Sequence, residues 1–120
     1  MRKKILIIDD ESEIRRAIWE YADEFGYQAV EAANGADGYY RIQQETPDLV
    51  LLDLKMPGIK GLDLLRQIRK DHPSLPVVII TGVQDESLEA QVRSVEHCDF
   101  VKKPFNITDL FETRIKPRLG

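Results

Sequence analysis

Three carboxylates, a hydroxyl and an ammonium each follow a short apolar run in this chain. Ile5-Leu6-Ile7-Ile8 ends in Asp9-Asp10, Leu49-Val50-Leu51-Leu52 in Asp53, Val77-Val78-Ile79-Ile80 in Thr81-Gly82, and the weaker Phe100-Val101 in Lys102-Lys103-Pro104. If these runs lie side by side, Asp9, Asp10 and Asp53 share one pocket. Carboxylates crowded together repel each other and resist ionisation, and a hard divalent cation relieves that cost. Mg2+ takes oxygen ligands, keeps several waters and bridges carboxylates to phosphoryl groups. One carboxylate then remains able to attack phosphorus and form an aspartyl phosphate. Such transfer depends mainly on positioning and charge neutralisation. Lys103 and the cation would supply the charge, Thr81 a hydrogen bond, and Gly82 room for the phosphoryl group. Taken singly, each residue has a plainer reading. Asp10 suits the N-cap of a helix opening at Glu11, with Glu13 completing a capping-box-like pattern. Asp53 could open a polar turn, Thr81-Gly82 could be an ordinary strand-to-helix turn, and Lys103 a solvated strand-end lysine. The case rests on their coincidence at the same ends of the strands.

The elements that must position them follow from periodicity. Runs apolar at every position suit strands buried on both faces of a parallel sheet. Gln28-Ala29-Val30-Glu31-Ala32 and Phe100-Val101 are weaker candidates for two more strands. Helical spacing recurs in Ile14, Ala17, Ile18, Tyr21, Ala22 and Phe25, stopped by Gly26, and in Leu62, Leu65 and Ile68. It recurs again in Leu88, Val92 and Val95, and in Ile107, Leu110, Phe111 and Ile115, where Pro117 should end or kink the helix. Gly35 to Glu45, with Ala36, Tyr39, Tyr40 and Ile42, is a weaker helix. Asn34-Gly35, Pro57-Gly58 and Pro73-Ser74-Leu75-Pro76 read as turns. Five strands alternating with five helices imply an α/β, doubly wound, five-stranded parallel sheet with helices on both faces and right-handed crossovers. One common strand order for such sheets, the flavodoxin-like 2-1-3-4-5, sets the first and third strands together at the topological switch point, with ligands at the carboxyl ends of the strands.

Composition narrows the class. The chain has 120 residues, read as one domain over 1–120. Its 17 Lys+Arg against 21 Asp+Glu give a net charge of −4, without the basic footprint of a nucleic-acid-binding module. No apolar run approaches the roughly 18 residues of a membrane span. The apolar stretch behind the basic N-terminus stops at Asp9, too soon for a signal peptide. The single cysteine, Cys98, cannot form an internal disulfide and suits a reducing compartment. The expectation is a cytoplasmic protein.

The chain resembles the receiver domains of two-component response regulators over essentially its whole length. The matching segments are Ile7-Ile8-Asp9-Asp10-Glu11, Asp48 through Gly58, Gly61, Ile80-Thr81-Gly82 and Phe100-Val101-Lys102-Lys103-Pro104-Phe105. The resemblance implies Asp53 as phosphoacceptor. It implies Mg2+, with Mn2+ able to substitute, held directly or through water by Asp9, Asp10, Asp53 and the backbone carbonyl of Lys55. Lys103, directly before Pro104, would hold the phosphoryl group. Thr81 would be the switch hydroxyl and Phe100 the switch aromatic, altering the surface of the fourth helix, fifth strand and fifth helix. That surface is also the implied homodimer face. The donor would be a phosphohistidine on a sensor histidine kinase or a histidine phosphotransfer protein. Lys55 and Val83, two residues after Asp53 and Thr81, would set phosphoryl lifetime and access together with Gly82. An added charge would bias a two-state element. The implied protein is a switch with self-phosphotransfer and slow autodephosphorylation, not an enzyme acting on an external metabolite. It makes no nucleic-acid or membrane contact through these residues.

The departures are Phe100 where the family often has Tyr, Glu96-His97-Cys98 in place of small residues, and Pro117 in the last helix, which bears on the dimer face. A phosphohydrolase of the haloacid dehalogenase type would resemble Asp-x-Asp after the first strand, whereas here the acids are adjacent, and 120 residues leave no length for a cap domain or an output domain. A nucleotide or flavin binder would need a glycine-rich phosphate loop, and neither Gly-x-Gly-x-x-Gly nor a P-loop occurs.

Overall fold

The computed structural model describes residues 2–55, 60–82 and 84–119. The strands are β1 (Lys4–Ile8), β2 (Gln28–Ala32), β3 (Leu49–Leu52), β4 (Val77–Thr81) and β5 (Cys98–Lys102). They alternate with α1 (Ser12–Glu24), α2 (Gly35–Glu45), α3 (Gly61–Asp71) and α4 (Glu86–Arg93). A last helical stretch begins as α5 (Ile107–Leu110), passes through a π-helical segment (Phe111–Ile115) and ends as α6 (Lys116–Leu119). The sheet is parallel throughout, in the expected order β2-β1-β3-β4-β5.

Alternation along the strands divides the interior into two cores. Leu6, Ile8, Val50, Leu52, Val77 and Ile79 pack with Ile42 of α2, Leu64, Leu65 and Ile68 of α3, and Val92 of α4. Ile5, Ile7, Leu49, Leu51, Val78 and Ile80 pack on the other face with Ile18 and Ala22 of α1 and with Leu110, Phe111 and Ile115. Successive strand side chains point to opposite faces, so strands covered on both faces must be apolar at every position. Each of these buried Val, Leu, Ile and Phe side chains contributes about 1.5–3 kcal/mol relative to exposure.

Several expectations need correction. Asp10 does not cap α1. The N-cap is Glu11, and no side chain bonds the first turn, because the chain turns one residue later than the capping-box pattern suggests. Asn34-Gly35 is not a free turn, since Asn34 accepts from the Asp37 N–H at 2.8 Å and starts α2. The face that α2 buries is Gly35, Gly38 and Ile42, while Ala36 and Tyr40 are exposed. A glycine carries no hydropathy signal, yet a Cβ on Gly38 would come within 2.6 Å of Ile8 Cδ1. Ala17, counted in the apolar stripe of α1, is exposed. Val95 lies beyond the end of α4. Pro117 does not stop the last helix, which runs on to Leu119. The wider π turn just before it shifts the carbonyl register, and Pro117 then sits in the first turn of α6, where its missing N–H costs little. Gly26, at φ +86°, ends α1 as expected. Val83 and the Pro57-Gly58 turn lie outside the described residues.

Candidate functional site

Ladder hydrogen bonds that run past the strand ends bring the carboxylates together. Asp9 N–H donates to Ala32 O at 3.1 Å, Asp53 N–H to Ile8 O at 2.9 Å, and Lys103 N–H to Thr81 O at 2.9 Å. Asp9, Asp53 and Lys103 therefore meet at one edge of the sheet, with Asp9, Asp53 and Thr81 all buried. Period-2 alternation separates the two lysines. Lys102 turns to Glu89 of α4 at 3.6 Å, while the Lys103 ammonium enters the cluster.

That ammonium lies 3.0 Å from Asp53 Oδ2, 2.8 Å from Glu11 Oε1 and 3.0 Å from Asp9 Oδ2. It hydrogen-bonds to Asp53 and Glu11. Its approach to Asp9 is ionic, at an angle outside hydrogen bonding, so Asp9 Oδ2 is a buried oxygen with no hydrogen bond. Asp9 Oδ1 accepts the Glu11 N–H at 2.8 Å, and Asp53 Oδ1 accepts the Lys55 N–H at 3.0 Å. Arg15 fixes the loop after β1 by donating to the Asp9 carbonyl at 2.7 Å and pairing with Glu31 at 3.1 Å.

One ligand atom from each of Asp9, Asp10, Glu11 and Asp53 can be chosen so that all lie within 4.8 Å of one another. These are hard oxygens, Asp9 among them carries a buried oxygen without a hydrogen bond, and that donor set fits a hard divalent cation such as Mg2+. Burial raises the Asp9 carboxyl above its ordinary range, although the Glu11 N–H and Lys103 pull the other way. For Lys103, burial acts downward, but the hydrogen bonds to Glu11 and Asp53 and the contact with Asp9 outweigh it and hold the ammonium above its usual range. The site therefore holds a permanent cation among its acids.

A stability prediction follows. An acid whose pKa is raised by folding supports the fold fully below its ordinary pKa, and that support is lost as pH rises through the raised value. Above the ordinary Asp range, burial of the Asp9 carboxyl is thus a net cost to the metal-free protein. Asp9→Asn should raise Tm in EDTA at neutral pH by several degrees. The gap should narrow toward about pH 4, near the ordinary Asp value. Thermal scans of both proteins in EDTA over that range check it, and a lower Tm for the variant at neutral pH would refute it.

Gly82 is exposed beside Lys103, and among the described residues a Cβ there would meet Lys103 Cβ alone, at 3.9 Å. Lys55 is exposed at the mouth. Phe100 is buried under the Arg93 guanidinium, 5.7 Å from the ring centroid, and Arg93 is held in turn by Glu89 at 3.0 Å. Glu11 and Arg15 are the residues that sequence reasoning missed. In the sequence Glu11 marks only the opening of a helix, and its partner lies 92 residues away. The available signal for Arg15 was its place one helical turn after Glu11, on the same helix face as the site.

Comparison with known proteins extends the geometry. A family model described as the response regulator receiver domain matches residues 5–114. Sporulation initiation phosphotransferase F of Bacillus subtilis is 34% identical over 110 residues, covering 92% of this chain and 89% of that protein. The transcriptional regulatory protein CrdR of Helicobacter pylori is also 34% identical, over 97% of this chain, but the chain spans only 54% of its length. A response regulator receiver domain protein (CheY-like) from Methanospirillum hungatei superposes with a TM-score of 0.92 at 27% identity, covering 98% of this chain and 94% of that one.

Proposed function

The chain belongs to the response regulator receiver domain family, and from that premise we propose that Asp53 accepts a phosphoryl group from a phosphohistidine in a Mg2+-dependent reaction. The observation that carries this reading is the buried Asp53 carboxylate, oriented by the Lys55 N–H and paired with Lys103 at 3.0 Å. One Asp53 oxygen forms the new bond to phosphorus as the bond from phosphorus to the donor imidazole nitrogen breaks, and that nitrogen leaves with the electron pair. Lys103 supplies positive charge to the phosphoryl oxygens, and Thr81 and Gly82 border the space they enter. Asp9, Asp10, Asp53 and the Lys55 carbonyl would hold Mg2+, which neutralises charge on the phosphoryl group.

The donor is a sensor histidine kinase or a histidine phosphotransfer protein. A relative named a phosphotransferase, matched over 89% of its length, supports transfer chemistry. Relatives named transcriptional regulators, of which the chain spans about half, support control of an output domain or partner. Thr81 and Phe100 act as the switch pair, and the surface of α4, β5 and α5 carries the change and serves as the dimer face. Among the described residues no helix is long and apolar enough to cross a membrane.

Incubation with Mg2+ and acetyl phosphate, read by intact mass, tests the reading. One added phosphoryl group, absent in EDTA, is expected. Steady phosphate release from many small phosphate esters would favour a hydrolase instead.

Lys55 sets the lifetime of the product by leaning its ammonium over the phosphoryl group and impeding water. Lys55→Ala should shorten the aspartyl-phosphate half-life several-fold, followed as mass loss after donor removal. An unchanged or longer half-life would show that the lysine is merely solvated.

A further inference from the structure

Lys103 has three acidic partners, and they are not equivalent. Asp9 is fully buried and fixed by the Glu11 N–H, and Asp53 is buried and fixed by the Lys55 N–H. Glu11 is 57% exposed at its side chain, and its carboxylate caps no helix turn. Its backbone is nevertheless anchored, since its N–H is given to Asp9 and its carbonyl accepts the Arg15 N–H at 3.1 Å. The residue thus has a fixed root and a carboxylate that water can take back at little cost. It also makes the shortest of the three contacts to the ammonium, at 2.8 Å.

An ammonium has three protons to donate. Here two are given to Glu11 and Asp53, and Asp9 stands in ionic contact on the remaining side at 3.0 Å, so a phosphoryl oxygen arriving on Asp53 reaches the ammonium by displacing one of these contacts. Asp53 is the acceptor itself, and moving Asp9, whose side chain is fully buried, would break its hydrogen bond from the Glu11 N–H. Glu11 alone can leave into solvent.

We propose that Glu11 is a positioning residue that clasps Lys103 in the resting protein and releases it to the incoming phosphoryl group. The clasp rests on the reading of Asp53 as phosphoacceptor. It keeps the lysine from collapsing onto the buried acids and makes release of Glu11 part of the barrier to phosphorylation.

The test compares wild type with Glu11→Gln, a near-isosteric change on an exposed side chain, at saturating Mg2+ and varied acetyl phosphate. The clasp predicts that the maximal phosphorylation rate rises by about two- to fivefold, the factor equivalent to an exposed ion pair. In a Lys103→Met background the same change should have no effect, because the two residues act as one unit. Simple repulsion of an anionic donor would instead lower the half-saturating donor concentration, persist without Lys103 and vanish in about 1 M salt, where screening is strong. That pattern overturns the proposal. So does a slower variant that needs more Mg2+, which would make Glu11 a cation ligand. If wild type gains no phosphoryl group, the reading of Asp53 fails, and the clasp is then decided in the resting protein. Lys103 labelling by an amine-reactive ester should be faster in Glu11→Gln by a similar factor, and unchanged labelling overturns the clasp.

Discussion

Asp53→Asn should leave a folded protein that gains no phosphoryl group from acetyl phosphate and Mg2+. The amide has nearly the shape of the carboxylate, and its oxygen can still accept from Lys103, now 3.0 Å away. What it lacks is the anionic lone pair that attacks phosphorus, and a neutral amide is a very poor nucleophile. Removal of a nucleophile that acts as a unit with its partners costs more than about a thousandfold in rate, which takes the product below detection by intact mass. The fold should tolerate the change, because Lys103 keeps Glu11 and Asp9 as partners. A variant phosphorylated as fast as wild type would place the acceptor elsewhere, on another carboxylate or on a histidine.

Gly61→Ala should be the most damaging small substitution outside the site. A Cβ at Gly61 would stand 2.3 Å from Leu54 Cα, 2.6 Å from its carbonyl oxygen and 2.8 Å from its carbonyl carbon. These are backbone atoms, which no rotamer change can move aside. Leu54 is itself buried and accepts the Gly61 N–H at 3.2 Å. The start of α3 and the residue after Asp53 would have to part, losing that hydrogen bond and opening the packing around Leu54. Overpacking against an unyielding neighbour costs about 2–4 kcal/mol, so Tm should fall by roughly 10 °C. Phosphorylation should also slow, because Leu54 cannot move without carrying Asp53 with it. Thermal scans and the mass assay on one preparation separate the two effects. A Tm within a degree of wild type would mean that the approach of α3 to Leu54 relaxes freely.

The architecture was legible because its physical cause lies in single residues. Strands covered on both faces must be apolar throughout, and Ile5–Ile8, Leu49–Leu52 and Val77–Ile80 are. Alternation of elements implies the parallel sheet, and once the common 2-1-3-4-5 order is assumed for it, Asp9, Asp53, Thr81 and Lys103 fall at one edge. What escaped depended on partners distant in sequence or on atoms that are missing. Glu11 finds Lys103 only after five strands have been arranged, so nothing local marks it. Gly38 and Gly61 are buried because they lack a side chain, and hydropathy patterns register side chains only. Asp10 offered a good capping signal, but the helix start is set by the hydrogen bond from the Glu11 N–H to Asp9. Pro117 was read by its effect in a regular helix, and the π turn before it removes the conflict.

The two cores on either side of the sheet give each strand something like a reading frame. One inserted residue in β3 would exchange every later side chain of that strand between the faces, sending Leu52 to the partners of Leu51 and carrying Asp53 away from Lys103. Such an insertion is a frameshift in three dimensions. Changes in length are therefore tolerable only between the strands, and every strand-to-helix connection lies at the edge that bears the carboxylates. Variation in loop length, the cheapest kind for this fold, thus falls directly on the surface where the proposed phosphodonor would dock.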